Sequence, residues 1–332
     1  MEKPLISVIV PVYNVGRYLE ACLDSLMVQT WPNVEVILVN DASTDNSGQI
    51  CDTYAAQDAR IQAVHFPSNR GPSAARNEGI RQAQGIYISF VDADDRVEPD
   101  LLEKLYESLI ETGAEISVCG ADGIDLKGGP AAAYSREAAV RCLALGFPFN
   151  HVPWGKLYYA ELVKQCPFDE NVFYSEDLLF LYSVLKRTKR VSYLPDILYH
   201  YTCRAGSQVQ SGIDERKCTA ISAHDSVCKD AAVNFPETAG LFQQLALETD
   251  RSMAMLAVKN GSKGGRGLPY LKQLQANVRQ HFSWKALALC SSRKNAAAVL
   301  VLYISVGAFW GVASAFTRIK SWKGGQRWRL KS

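Results

Sequence analysis

Three carboxylates stand within four positions at Asp92, Asp94 and Asp95. Carboxylates that close repel one another unless a cation or hydrogen-bond donors lie among them. Hard divalent cations prefer such oxygen ligands, and a magnesium-like ion usually takes one or two carboxylates plus phosphate oxygens. The chemistry suited to this cluster is charge neutralisation on a phosphorylated ligand. The competing reading is a solvated acidic turn that caps the next helix. Two further acidic candidates stand far away in the chain: Asp41, after the apolar run 34–39, and the pair Glu176-Asp177, ahead of the apolar run 178–185.

The elements that must position these groups follow from hydrophobic periodicity. Residues 5–10, 34–39, 61–66, 87–91 and 116–119 read as buried strands, near-continuous in apolar and β-branched residues. Between them lie helical patterns over 16–29, a segment through Tyr54 that Ser43, Thr44 and Asp45 would cap, then 74–83 and 99–111. Strands that alternate with helices imply a mostly parallel sheet covered on both faces. In such sheets ligands bind outside the carboxyl ends of the strands. Asp41, Asp92 and Asp94 all fall at such ends, so they are expected to converge in space.

Beyond residue 121 the pattern loosens. Residues 135–145 read as a helix, 153–158 as a dense aromatic turn, 191–194 and 198–201 as strand-like, and the chain from 214 onward as helical. Three regions are expected: 1–120, the alternating strand–helix half; 121–212, a second lobe on the same sheet; and a helical region 213–332. The first βα turn, Pro11-Val12-Tyr13-Asn14, is not Gly-x-Gly-x-x-Gly, and there is no Walker loop. A nucleotide must therefore be held differently. Asp41 can accept from the N–H of a pyrimidine, and Pro11 and Tyr13 can form a flat wall beside it.

In order and spacing, Ile6-Ser7-Val8-Ile9-Val10-Pro11-Val12-Tyr13-Asn14, Val39-Asn40-Asp41-Ala42-Ser43-Thr44-Asp45, Asn69-Arg70-Gly71-Pro72-Ser73-Ala74-Ala75-Arg76-Asn77 and Phe90-Val91-Asp92-Ala93-Asp94-Asp95 together resemble family 2 glycosyltransferases. The likeness is close over about the first 120 residues. It continues more weakly through Trp154-Gly155-Lys156-Leu157-Tyr158, Ser175-Glu176-Asp177 and Tyr199-His200-Tyr201. It implies an α/β fold of GT-A type, with a mostly parallel, Rossmann-like sheet covered by helices and a helical C-terminal region. It also implies an inverting transfer from a nucleotide-sugar, expected to be a UDP-sugar, with Mn²⁺ or Mg²⁺ as cofactor.

By that resemblance Asp41 reads the base beside Pro11 and Tyr13. Asp92 binds ribose or sugar, Asp94 ligates the metal with Asp92 beside it, and Arg76 neutralises charge near the nucleotide. Asp177 is the base, with Glu176 next to it. His200 is either a metal ligand or a histidine packed between Tyr199 and Tyr201. Trp154 either lines the acceptor site or belongs to the core, and Arg204 either pairs with the diphosphate or holds a loop. A haloacid-type phosphatase or a sugar nucleotidyltransferase fits the first turn poorly. A catalytically silent scaffold is the remaining alternative, and the intact acidic cluster argues against it.

The chain has 332 residues, a formal charge of +2 and nine cysteines without a Cys-x-x-Cys pair. Near-neutral charge speaks against a nucleic-acid partner, and scattered thiols suit small core residues in a reducing compartment. Residues 5–12 are too few for a signal peptide and lack a basic leader. Residues 296–316 carry no charge and approach the ~20 residues of a membrane span. Arg293 and Lys294 precede them; Arg318, Lys320, Lys323, Arg327, Arg329 and Lys331 follow, with Trp322 and Trp328 interleaved. Such a tail suits an anionic cytoplasmic lipid surface. Segment 296–332 is thus expected to meet the membrane, as a span or as an in-plane helix, while a buried helix of the soluble fold is the rival placement. The acceptor implied is a lipid-linked glycan or polysaccharide.

Overall fold

The computed structural model describes residues 3–122, 129–148, 150–203, 213–261 and 267–315. The chain divides into two units, Met1–Ala205 and Gly206–Ser332. The first is built on one sheet. Strands β1 (Ile6–Val12), β2 (Val34–Asn40), β3 (Ile61–His65) and β4 (Tyr87–Phe90) lie in the order β3-β2-β1-β4, all parallel. Helices α1 (Gly16–Met27), α2 (Ser47–Gln57) and α3 (Pro72–Gln82) connect them.

Side chains of a strand alternate between faces. Ile6, Val8 and Val10 of β1 therefore share a face, and they pack with Leu19, Leu23 and Leu26 of α1 and with Leu101, Leu102 and Leu105 of α4 (Leu101–Thr112). Ile9 points the other way, toward α3. Gly79 of α3 sits so close that a Cβ there would collide with the Ile9 side chain. This approach fixes α3 tightly against the centre of the sheet.

After β4 the parallel pattern gives way to a mixed half. Strands β5 (Arg96–Val97), β6 (Ile116–Asp122), β7 (Ala132–Ser135), β8 (Lys156–Tyr159) and β9 (Arg190–His200) complete the sheet, with helices α5 (Arg136–Leu145), α6 (Ala160–Lys164) and α7 (Glu176–Leu185). β8 runs antiparallel between β4 and β6. Of the aromatic segment 153–158 expected to be a turn, 153–155 turn the chain and 156–158 belong to this central strand. A left-handed Gly155 (φ +65°) turns the chain into it, and four residues are too few to display a period. Residues 190–200 form one strand where two were expected. On the α3 face Phe90, Phe168, Phe180 and Tyr158 interlock, with Phe168 and Phe180 stacked at 3.9 Å.

The second unit is helical: α8 (Glu215–Asn234), α9 (Ala239–Gly261), α10 (Leu268–His281), α11 (Trp284–Ala288) and α12 (Arg293–Ile304). Its core holds Phe242, Leu247, Leu271, Leu274, Val278, Val299 and Leu302, with a buried hydrogen bond from Asn277 to Asp250 (2.7 Å). The apolar run 296–316 is not one helix. It breaks at Ser305, whose backbone is extended, and becomes helical again over 306–315. Among the described residues no helix is long and apolar enough to cross a membrane. The basic residues 318–331, Trp322, Trp328 and Arg204 lie outside the described residues. All nine cysteines are free and seven are buried, as expected of small core residues.

Candidate active site

The carboxyl ends of β2, β1 and β4 stand side by side and carry Asp41, Pro11 and Asp92 in that order. The register pairs Pro11 with Val39, and the Val91 N–H donates to the Ile9 carbonyl (3.1 Å). The first two rim turns are stitched together. Asn14 Oδ1 accepts from the Thr44 N–H (2.8 Å), and the Asn14 N–H donates to Ser43 Oγ (3.1 Å). Asp45 was expected to help cap a helix. It accepts from the Ser47 N–H at the start of α2 and also from the Gly16 N–H at the start of α1, both at 3.0 Å. The Ser47 hydroxyl and those two N–H groups together outweigh its desolvation and hold its carboxyl below the usual range.

Among the described residues three non-glycines have left-handed φ angles: Asn14 (50°), Ala42 (55°) and Ser175 (67°). Each costs backbone energy that the surroundings must offset. All three fall in turns that present candidate groups: Asn14 beside Pro11 and Tyr13, Ala42 beside Asp41, Ser175 beside Glu176-Asp177.

The N-terminal half of α3 gathers the acidic groups. Asp41, 2% exposed, accepts from Asn69 Nδ2 (2.9 Å), the Arg70 N–H (2.6 Å) and the Gly71 N–H (2.8 Å), the residues that lead into α3. Burial pushes its pKa up and those N–H groups pull it back. A carboxylate offers about four lone-pair sites, so capacity remains for one further donor, such as a ring N–H. Tyr13 stands 45% exposed at the same rim.

Arg76, buried within α3, reaches Asp92 Oδ1 with Nη2 (3.1 Å) and Asp177 Oδ1 with Nη1 (3.1 Å), and Glu176 lies 3.9 Å from Nη1. Its Nε finds no partner among the described residues, and the guanidinium lies 5.4 Å over the Phe168 ring. One cation therefore joins the strand-end acid and the helix-start acids, which are 85 residues apart in the chain (177 − 92). Asp177 and Glu176 are both pushed up by burial; Arg76 draws Asp177 back, and the Asp177 charge raises Glu176 further. Arg76, hydrogen-bonded to Asp177, therefore favours the ionised form of Asp177, while burial and the Asp177 charge disfavour that of Glu176.

Asp92 and Asp94 are half-buried while Asp95 is fully buried. Burial and then the Asp92 charge push Asp95 up to about 8. It accepts from the Tyr199 hydroxyl and from the Thr202 N–H, both at 2.7 Å. His200 does not join the carboxylate pair. One ring nitrogen is engaged by Glu98 (2.6 Å) and the other by Asp122 (2.9 Å), so neither lone pair is left for a metal. Among the described residues no group of three or more ligating side chains forms a metal site. Asp92 and Asp94, both half-buried at the rim, are the carboxylates that would hold a hard cation, which takes one or two carboxylates together with phosphate oxygens and water.

The profile of Glycosyl transferase family 2 matches residues 7–187. The chain belongs to that family. Within it, the chain is 37% identical over 217 residues to the glycosyltransferase GlyA of Streptococcus pneumoniae, which covers 61% of this chain and 31% of GlyA. It is 31% identical over 212 residues to a poly(ribitol-phosphate) beta-glucosyltransferase of Bacillus spizizenii, covering 62% of this chain and 33% of that protein. The match thus spans about a third of each relative's length. Among solved structures, Staphylococcus aureus TarS 1–349 in complex with UDP-GlcNAc superposes with a TM-score of 0.69 at 22% identity, covering 94% of this chain and 91% of that one. The α/β fold of GT-A type with a helical C-terminal region is therefore the fold this family member has.

Some groups that shape the site have no signal of their own in the chain. Tyr199 was read only as a neighbour of His200, and Lys156 only as part of an aromatic turn. Trp154 is 3% exposed and stacks flat on Tyr199, so it belongs to the core. Arg76→Met is expected to destabilise the fold toward the lower end of the ~3–5 kcal/mol typical of breaking a buried ion pair. The discount arises because Asp92 and Asp177 each keep about a quarter of their side-chain surface in water. Urea unfolding at neutral pH measures it, and an unchanged midpoint would contradict the bridging role.

Proposed function

We propose that this chain is an inverting, metal-dependent glycosyltransferase that moves a sugar from a nucleotide-sugar, a UDP-sugar, to a lipid-linked or polysaccharide acceptor in cell-surface glycan synthesis. The observation that carries the reading is the Arg76 bridge, which seats the donor-side Asp92 and the acceptor-side Asp177 on one guanidinium. In this reading the uracil N–H takes the remaining acceptor capacity of Asp41 and the base lies against Pro11 and Tyr13. Asp92 accepts from ribose or sugar hydroxyls.

Asp177 removes the proton from an acceptor hydroxyl as its oxygen attacks the anomeric carbon. The bond from that carbon to the diphosphate oxygen breaks on the opposite face, and UDP departs with the electron pair. Asp94, with Asp92 beside it, would hold Mn²⁺ or Mg²⁺, which neutralises charge on the departing diphosphate when bound. Support for the donor class comes from the UDP-GlcNAc complex of TarS, and support for the acceptor class from the poly(ribitol-phosphate) relative.

Calorimetry with UDP tests the reading. Binding is expected to be metal-dependent, tightening at least tenfold when Mn²⁺ is added; equal affinity with and without Mn²⁺ would overturn it, and a silent scaffold would bind neither. The same reading puts the chain at the cytoplasmic face of the membrane, through segment 296–332. Supporting this are the Arg293-Lys294 pair, the uncharged run and the basic, tryptophan-bearing stretch 318–331. Each basic residue near an anionic surface contributes ~1 kcal/mol. Changing Arg318, Lys320 and Lys323 to Glu is therefore expected to release the chain from phosphatidylserine vesicles in a flotation assay. Retention of this variant at low salt would dismiss the electrostatic attachment.

A further inference from the structure

Lys156 is an oddity that the proposed reaction does not use. It is 2% exposed, yet no carboxylate among the described residues forms an ion pair with it. Burial pushes it down to about 8. A buried ammonium without a directly paired carboxylate is costly, and the charge of Asp177 offsets only part of its desolvation, so hydrogen bonds must supply the rest. Its Nζ donates to the carbonyls of Val152 (2.7 Å) and Trp154 (3.3 Å). Two residues along β8, the Tyr158 hydroxyl donates to the carbonyl between them, that of Pro153 (2.8 Å). Two side chains of one short strand thus claim three consecutive carbonyls of the segment that leads into it.

What this holds in place is the Trp154 indole. It stacks on the Tyr199 ring at 4.1 Å with the planes only 9° apart. Tyr199 in turn connects two parts of the acidic turn: its hydroxyl accepts from the Asp92 N–H (3.1 Å) and donates to Asp95 Oδ2 (2.7 Å). A shift of the indole by a fraction of an ångström would tilt that ring and lengthen one or both hydrogen bonds. Gly155, at φ +65°, lets the chain turn between Trp154 and Lys156, with Tyr199 against its open side.

We propose that Lys156 is a positioning residue. By clamping the carbonyls of 152–154 it holds Trp154 flat on Tyr199, and so holds the Asp92–Asp95 turn in the geometry that receives the donor. The inference rests on the reading of that turn as the donor site, but the contacts that carry it do not. Lys156 touches neither the acidic turn nor, in this scheme, any substrate.

Hydrogen exchange of the ligand-free protein, followed by mass spectrometry, tests the linkage without any donor. In Lys156→Met the peptide covering residues 91–97 is expected to exchange about tenfold faster, while a peptide from β2 keeps its rate. Tyr199→Phe, which keeps the ring and removes the hydroxyl, is expected to do the same. The double variant should be no faster than either single one, because both act through one hydroxyl. An unchanged rate over 91–97 in Lys156→Met, or effects that multiply in the double variant, would overturn the proposal. Should Lys156→Met fail to fold, Trp154→Leu with Tyr199→Phe completes the same cycle at the stack.

A second arm measures UDP with Mn²⁺ by calorimetry, where Lys156→Met is expected to weaken binding about tenfold. If the wild-type chain binds no UDP, the donor reading fails while the exchange result still decides the role of Lys156. If exchange is unmoved but UDP binds, the donor reading stands and this proposal falls.

Discussion

An Asp177→Asn chain is expected to fold and to bind donor as the wild type does, and to transfer sugar ~10²- to 10⁴-fold more slowly, the usual contribution of a positioned base. Asparagine matches the shape of aspartate but cannot take the acceptor proton. Burial also disfavours the ionised form of Glu176, so the neighbouring acid is a poor substitute. Steady-state transfer from a UDP-sugar measures the loss. A variant that keeps a tenth or more of wild-type kcat would remove Asp177 from the chemistry.

The pH profile carries the same assignment. Burial raises the Asp177 pKa in the folded protein. The ionised, competent form is therefore present at higher pH and is lost as pH falls through that raised value. The acid limb of kcat/KM is expected above the ordinary carboxylate range of ~4, whereas a limb at or below it would contradict a buried base.

Asp94→Ala is expected to abolish measurable transfer while far-UV dichroism and melting stay near wild type. The reasoning begins with charge. Asp94 is half-buried at the rim, so its removal leaves no large cavity. A divalent cation contributes several kcal/mol by neutralising a leaving diphosphate. At ~1.4 kcal/mol per tenfold in rate, losing its ligand costs on the order of 10³-fold. Asp92 remains but is engaged by Arg76, and one carboxylate is a weak hold on such an ion. Full activity of Asp94→Ala across a Mn²⁺ titration would end the metal-ligand assignment.

The parallel half of the fold was legible because long apolar strands and helical spacing reinforce each other there. The convergence of Asp41 and Asp92 followed from their positions at strand ends, since a parallel sheet has its carboxyl ends on one rim. What escaped was whatever depends on contacts between distant segments. β8 is four residues long and reads like a turn, so its place at the centre of the sheet is set by tertiary packing alone. For His200 the chain leaves a metal role and packing between Tyr199 and Tyr201 equally open; only the folded chain brings Glu98 and Asp122 to its two nitrogens. The role of Arg76 was read as neutralising a nucleotide, and its two carboxylate partners emerged only from the fold. The apolar run 296–316 was continuous in composition, yet extended backbone at Ser305 divides it.

One helix ties both halves of the proposed reaction together. The residues that enter α3 grip Asp41, and Arg76 within it grips Asp92 and Asp177. Its seat on the sheet is set by a bare glycine against Ile9, three residues and just under a turn beyond Arg76, away from the acids. A lone methyl group added at Gly79 would wedge the helix outward and detune donor recognition and proton abstraction in concert. Selection on this enzyme would then be felt at a position that no ligand ever reaches.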